Sequence, residues 1–91
     1  MPDTTIPADL QAAFDAAVAH SKTLTVRPDN LTLLELYGLY KQGCAGDARG
    51  DRPGMTDFVA RAKWDAWAGC KGIPRTEAMQ AYIDRINDLP T

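Results

Sequence analysis

Hydrophobic residues recur with helical spacing in four segments, which proline and glycine residues separate. The first predicted helix covers about residues 8–20, where Leu10, Phe14 and Val18 recur every four residues. The other three cover about residues 29–44, 56–70 and 74–89. No segment alternates apolar and polar residues with the period of a strand. The pattern therefore predicts an all-α protein, a bundle of four helices.

The second predicted helix carries too many apolar residues for a single stripe. Its two sides hold Leu31, Leu34 and Gly38 on one, and Leu33, Tyr37, Tyr40, Lys41 and Cys44 on the other. A helix that is apolar on two sides must bury more than one of them. We therefore expect it to need partners on more than one side, or a ligand.

The third and fourth predicted helices each show one stripe. The stripe of the third helix consists of Val59, Lys63, Ala66, Trp67 and Cys70, with Phe58, Ala62 and Asp65 beside it. In the fourth helix the inner stripe is Met79, Tyr82, Ile83 and Ile86. Both stripes are expected to face other helices.

Composition limits the chain to one small globular domain, predicted to span residues 1–91. Hydrophobic residues make up 45% and charged residues 24%, and the net charge of −2 argues against a general nucleic-acid binder. No apolar stretch is long enough to span a bilayer, and the first residues lack the features of a secretory signal. Cys44 and Cys70 are too few for a disulfide scaffold, so we expect reduced thiols and a cytoplasmic location.

Catalytic and metal chemistry find little support in the sequence. The single histidine, His20, lies near a predicted helix end without a nucleophile pattern, and we expect it to be exposed. His20, Cys44 and Cys70 do not have the spacing of metal ligands. We therefore predict a protein that is not an enzyme and that holds neither a metal nor a cofactor.

One group of residues does suggest a ligand site. Tyr37, Tyr40 and Lys41 lie at i, i+3 and i+4, so one helical face carries two phenols and an ammonium. Lys63 lies beside two tryptophans, and Tyr82 adds a third phenol. Aromatic faces next to lysines fit a purine ring and its phosphates. The alternative is that these aromatic residues form the core while the lysines point outward, and the spacing leaves both interpretations open.

Four motifs in register resemble the acyl-CoA-binding protein family. They read LYGLYKQGCAGD, RPGMTDF, ARAKWDAW and AMQAYID, and the resemblance extends from about residue 14 to residue 89. It implies an antiparallel-type four-helix bundle that binds medium- to long-chain acyl-CoA thioesters without converting them. Transport and maintenance of the acyl-CoA pool, within fatty acid metabolism, is the implied role.

The resemblance also assigns residues to the ligand. Tyr37, Lys41 and Lys63 would hold the 3′-phosphate of CoA, while Tyr40 would pack against the adenine. The remaining implied contacts are Tyr82 in the same headgroup pocket, Lys22 near the phosphates, Ala17 as a small residue beside the adenine, and Leu33 and Leu34 near the acyl groove. Phe14, Trp64 and Leu89 match positions of the structural core.

Charge distribution agrees with a phosphorylated ligand. Residues 22–75 carry nine basic and six acidic side chains, a local charge of +3 within a chain of net charge −2. The expected partners are the acyl-CoA and, transiently, acyl-CoA-using enzymes or membranes, with no nucleic acid, no stable membrane insertion and a monomeric state. The alternative function is a helical protein-interaction module that keeps the fold without the ligand.

Overall fold

The computed structural model describes residues 5–90, which form four helices and no strand. The helices are α1 (Ala8–Ser21), α2 (Asn30–Ala45), α3 (Phe58–Ala68) and α4 (Arg75–Asp88). The predicted all-α, four-helix fold is confirmed. The predicted domain limits of 1–91 stay a prediction at both ends, because residues 1–4 and 91 lie outside the described residues.

Local chemistry explains where the helices begin. The Asp29 carboxylate accepts a hydrogen bond from the Thr32 N–H at 2.8 Å, and the Asp57 carboxylate accepts one from the Ala60 N–H at 3.3 Å. α4 instead begins after Pro74, whose φ of −58° suits a helix start although it offers no side-chain cap. α3 ends at Ala68, two residues before the predicted end.

The core lies where α1, α2 and α4 meet. The predicted inner stripe of α4 is confirmed, since Met79, Tyr82, Ile83 and Ile86 are all buried. For α2 the predicted sides need correction. Leu31 is 72% exposed, whereas Leu36, which the pattern did not single out, is buried in the core.

Among the described residues, the helix backbones lie side by side in the order α3, α2, α4, α1, and α1 contacts α2 only through side chains such as Phe14. The expectation that α2 needs partners on more than one side is confirmed, because it packs against both α3 and α4. The molecule is flat, with extents of 42 × 40 × 15 Å. One broad side of α3 is consequently left without a helical partner.

Contacts along α2 show the direction of its two neighbours. Glu35 near its start pairs with Arg85 at 2.7 Å, while the Gly43 carbonyl near its end accepts from Arg75 Nε at 2.9 Å, so α2 and α4 are antiparallel. α3 runs parallel to α2, because Lys63 lies over Tyr37 and Trp67 lies against Lys41 one turn later. α2 and α4 therefore have the antiparallel arrangement that the resemblance implies, whereas the neighbours α2 and α3 run parallel. The connection over residues 46–57 returns the chain to the other end of the bundle.

α2 and α3 come closest at Gly38. A Cβ atom placed there would lie 2.5 Å from the Ala66 carbonyl oxygen, so only glycine permits this approach. The returning connection is anchored nearby, where Trp67 Nε1 donates to the Gly46 carbonyl at 2.7 Å. The two helices are thus held together at their middles and C-terminal ends.

Candidate functional site

An apolar groove opens between the N-terminal halves of α2 and α3, and we call it the front groove. Its volume is about 410 Å³, within the usual range for small-molecule sites. The lining residues are Arg27, Asn30, Leu33, Leu34, Tyr37, Phe58, Val59, Ala62 and Lys63. Phe58 is 78% exposed and Val59 is 67% exposed, so two adjacent large apolar side chains meet solvent at the groove. The groove therefore presents apolar surface that the fold itself does not bury.

Two lysines lie over aromatic rings along the same pair of helices. The Lys63 ammonium of α3 is 5.5 Å from the Tyr37 ring of α2. The Lys41 ammonium of α2 is 4.7 Å from the Trp67 ring of α3. Each cation is thus held by a cation–π contact to the facing helix. Because an ammonium has three donors, and neither lysine is paired with a carboxylate among the residues that the structure describes, this strip is suited to anionic oxygens.

A cluster of aromatic rings adjoins the strip on the α1 side of α2. Tyr40 stacks on Phe14 with ring centroids 6.1 Å apart, and it lies 6.2 Å from Tyr82. Tyr40 is 36% exposed, whereas Tyr82 and Ala17 are buried in the core. Interaction with Cys44, followed by burial, raises the pKa of the Tyr40 hydroxyl, which is therefore a neutral donor at pH 7. Tyr40 offers a ring face to a ligand.

The predicted site residues fall into three places. Leu33, Leu34, Tyr37 and Lys63 lie together in the front groove. Tyr40 and Lys41 follow Tyr37 by about one turn of α2, and Tyr40 lies 6.2 Å from Tyr82, which is buried in the core cluster together with Ala17. Lys22 is exposed at the residue that follows α1, and it is not among the residues that line the groove. The ligand contacts assigned to all nine remain predictions.

The predicted stripe of α3 is divided by the structure. Val59 and Lys63 line the front groove, Trp67 is buried, and Ala66 and Cys70 face a second groove on the other side of α2 and α3. The pattern had grouped these five residues on one face because they share helical spacing. With a single helix as neighbour, α3 exposes apolar residues on both flanks of its contact with α2.

Sequence reasoning missed several residues of the front groove. Arg27 and Asn30 line it from the start of α2, and Phe58 contributes the largest exposed apolar side chain. The sequence did contain a signal for Phe58 and Val59 as groove residues, because these two large apolar residues directly follow Asp57, the N-cap of α3. Such residues in a first turn have few partners within their own helix, so they mark a surface that a ligand or another element covers.

Metal and membrane features are absent from the part of the chain that the structure describes. Within residues 5–90, no three His, Cys, Asp or Glu side chains come together as they would around a metal ion. No helix in the same range combines the length and the apolar character that crossing a bilayer requires. His20 is exposed, and Cys44 and Cys70 are both free thiols.

Comparison with protein families gives one match that covers most of the chain. The family model described as "Acyl CoA binding protein" matches residues 11–86. Among curated proteins, acyl-CoA-binding protein homolog 1 of Caenorhabditis elegans is 46% identical over 77 residues, which is 85% of this chain and 90% of the relative. The family model thus spans α2 and α3 completely and most of α1 and α4.

Solved structures show the same relationship. Acyl-CoA-binding protein 2 of Oryza sativa superposes with a TM-score of 0.84 at 40% identity, covering 88% of this chain and 89% of that protein. The ACBP of Moniliophthora perniciosa superposes with a TM-score of 0.78 at 35% identity, covering 82% of this chain and 74% of that protein. Crystal structures of these relatives therefore have the same fold as this chain.

Proposed function

Because the chain belongs to the acyl-CoA-binding protein family, we propose that it binds medium- to long-chain acyl-CoA thioesters and does not convert them. One observation carries the proposal beyond the family relationship. The apolar front groove, the two unpaired lysines and the exposed face of Tyr40 lie along one helix pair. An acyl-CoA needs this combination, since it joins an apolar chain to a purine nucleotide with phosphates.

The proposed pose places each part of the ligand against matching chemistry. The acyl chain lies in the front groove along Leu33 and Leu34. Lys63 and Lys41 contact the 3′-phosphate with the Tyr37 hydroxyl, and Tyr40 stacks on the adenine. Lys22 approaches the phosphates from the end of α1. Tyr82 contributes to the same headgroup pocket, and Ala17 is the small residue that leaves room on the adenine side of the site.

Both ends of the ligand contribute to the expected affinity. Each methylene that leaves water contributes about 0.8 kcal/mol, so ten buried methylenes supply on the order of 8 kcal/mol before the costs of ordering the chain. CoA carries about four negative charges, which the ammonium groups attract during encounter and in the complex. We therefore expect free CoA and free fatty acid each to bind much more weakly than the thioester.

The proposed cellular role is that of a cytoplasmic carrier that maintains and transports the acyl-CoA pool of fatty acid metabolism. The carrier acts as a monomer and hands its ligand to acyl-CoA-using enzymes or membranes by transient contacts. Exposed apolar residues at the mouth of the front groove, Phe58 and Val59, support this hand-over because an acyl chain can slide past them. The proposal assigns no catalytic residue, metal or cofactor to the chain.

Titration calorimetry tests the proposed ligand directly. Palmitoyl-CoA, CoA and palmitate are titrated separately into the protein, and we expect the thioester to bind at least a hundredfold more tightly than either part. The headgroup strip, by which we mean Tyr37, Tyr40, Lys41 and Lys63, would have no role in binding if palmitate and palmitoyl-CoA bound with equal affinity. No heat and no rise in melting temperature with any acyl-CoA would favour the alternative, a helical protein-interaction module that has kept the fold.

A further inference from the structure

A second groove, which we call the rear groove, lies on the opposite side of the contact between α2 and α3. Its volume is about 620 Å³, larger than the front groove. Leu31, Leu39, Ala66 and Cys70 contribute to its lining. None of the predicted headgroup residues belongs to it.

Leu34 and Ala62 line both grooves, so the grooves adjoin at these two side chains. One turn further along both helices, Gly38 and Ala66 bring the backbones of α2 and α3 together. Ala62 contributes only a methyl group to the boundary between the grooves. The grooves are therefore separated by close backbone contact at Gly38, but they share side chains on the N-terminal side of it.

Charges around the rear groove exclude an anionic occupant. Glu35 and Asp65 are its only charged lining residues, and each is already paired, with Arg85 at 2.7 Å and with Arg52 at 2.6 Å. Arg52 also holds the pKa of the Asp65 carboxyl below its usual value, so Asp65 stays ionised at neutral pH. A phosphate or a fatty acid carboxylate would meet two carboxylates there, and the arginines beside them are already engaged. An uncharged apolar chain end would meet leucine, alanine and cysteine.

Resting on the proposed function, we propose that the distal end of a long acyl chain crosses between Leu34 and Ala62 and lies in the rear groove. The front groove then holds the part of the chain next to the thioester, and the rear groove holds its methyl end. Shorter chains end before this crossing and leave the rear groove to water. The rear groove, which lies on the side of α3 away from the headgroup, therefore distinguishes long acyl chains from short ones.

Cys70 reports occupancy of the rear groove, and Cys44 reports occupancy of the headgroup strip. Cys70 lines the rear groove, and burial raises the pKa of its thiol, so labelling is done at alkaline pH. Cys44 is exposed and lies one turn after Tyr40. The wild-type protein is saturated with octanoyl-CoA or octadecanoyl-CoA, as verified by calorimetry, and alkylation of each cysteine is followed by peptide mass spectrometry. We expect both ligands to slow Cys44 labelling alike, and only octadecanoyl-CoA to slow Cys70 labelling, by at least tenfold.

Two matched variants provide an independent readout. Leu31 and Phe58 are similarly exposed, at 72% and 78%, and both lie in the first turn of a helix, but Leu31 lines only the rear groove and Phe58 only the front groove. Leu31→Gln should weaken octadecanoyl-CoA binding by about 4- to 15-fold, the equivalent of one to two methylenes, and leave octanoyl-CoA unaffected. Phe58→Gln should weaken both ligands.

The outcomes separate this inference from the proposed function. Equal Cys70 labelling with both bound ligands, or a Leu31→Gln effect that does not depend on chain length, would overturn the rear-groove inference while acyl-CoA binding stands. Absence of heat with every acyl-CoA would overturn the proposed function and this inference with it.

Discussion

Helices α3 and α4 are both amphipathic, but the fold uses their apolar residues differently. α4 buries five residues, namely Ala78, Met79, Tyr82, Ile83 and Ile86, whereas α3 buries only Trp67. The cause is position, because α4 lies between α1 and α2 while α3 has α2 as its sole helical neighbour among the described residues. α4 therefore stabilises the fold, whereas the apolar surface left open on α3 is available to a ligand.

Shortening a buried side chain of α4 should have the largest effect on stability. Ile86 is fully buried, so Ile86→Ala should lower the free energy of unfolding by about 2–5 kcal/mol through lost burial and a residual cavity. Urea unfolding measures this change. In the matched control, Phe58→Ala should change stability by no more than about 0.5 kcal/mol because the side chain is exposed. A similar loss of stability in both variants would contradict the different contributions of α3 and α4 to the fold.

In α3, Lys63→Ala should weaken ligand binding and leave the stability of the fold nearly unchanged. Loss of a charge-assisted contact costs about 1.5–3 kcal/mol, so calorimetry should show palmitoyl-CoA binding weakened roughly 10- to 150-fold. The free energy of unfolding should change little, since the Lys63 ammonium makes only a cation–π contact at 5.5 Å. Lys71→Ala is the control, because Lys71 is exposed beyond the end of α3 and outside both grooves. Equal affinities of the two variants would contradict the placement of the phosphate site.

Gly38→Ala tests whether α3 depends on its one close contact. The new methyl group would press on the Ala66 backbone at 2.5 Å, so the helices must separate at a cost of about 1–3 kcal/mol. The gain in helix propensity offsets about 0.5–1 kcal/mol of it. Thermal unfolding should therefore show a modest destabilisation. An unchanged melting temperature would mean that α3 does not rely on this contact.

The smallest expected effect concerns the ion pair that ties the connection over residues 46–57 to α3. Arg52 donates to both Asp65 oxygens at 2.7 and 2.6 Å and lowers the pKa of Asp65 from its usual 3.8. A lowered pKa in the folded state means that the pair contributes stability above pH 3.8, and that this contribution is lost as the pH falls further, through the folded-state value. The stability difference between wild type and Arg52→Gln should thus shrink below pH 3.8. A difference that stays constant from pH 7 to pH 2 would exclude this linkage.

The same contrast between α3 and α4 decides how much the sequence could predict. The apolar stripe of α4 predicted its buried residues correctly, because a helix with a single apolar face packs that face into the core. In α2, apolar residues on two sides left open whether another helix or a ligand covers each side, so the pattern did not show that Leu31 is exposed and that Leu36 is buried. The parallel direction of α3 also depends on distant contacts, such as Lys63 with Tyr37, that helical spacing does not encode.

The proposed ligand residues were predictable to the extent that the family motifs contain them. Tyr37, Tyr40, Lys41 and Lys63 stand within those motifs, and the structure brings Tyr37 and Lys63 into contact across the two helices. Arg27 and Asn30 lie in the connector and at the start of α2, where no periodic pattern distinguishes lining residues from other surface. The rear groove could not be foreseen, because it depends on how far two helices separate.

Hydrogen exchange of the α3 amides, with and without palmitoyl-CoA, tests the assignment of α3 to the ligand most directly. In the free protein we expect α3 amides to exchange faster than those of α4, because α3 is held by one neighbour. With ligand at 100 times its Kd, α3 exchange should slow by about 100-fold, since opening must first release the ligand. Exchange in α3 that is already as slow as in α4, or that does not change when calorimetry shows the ligand bound, would contradict it.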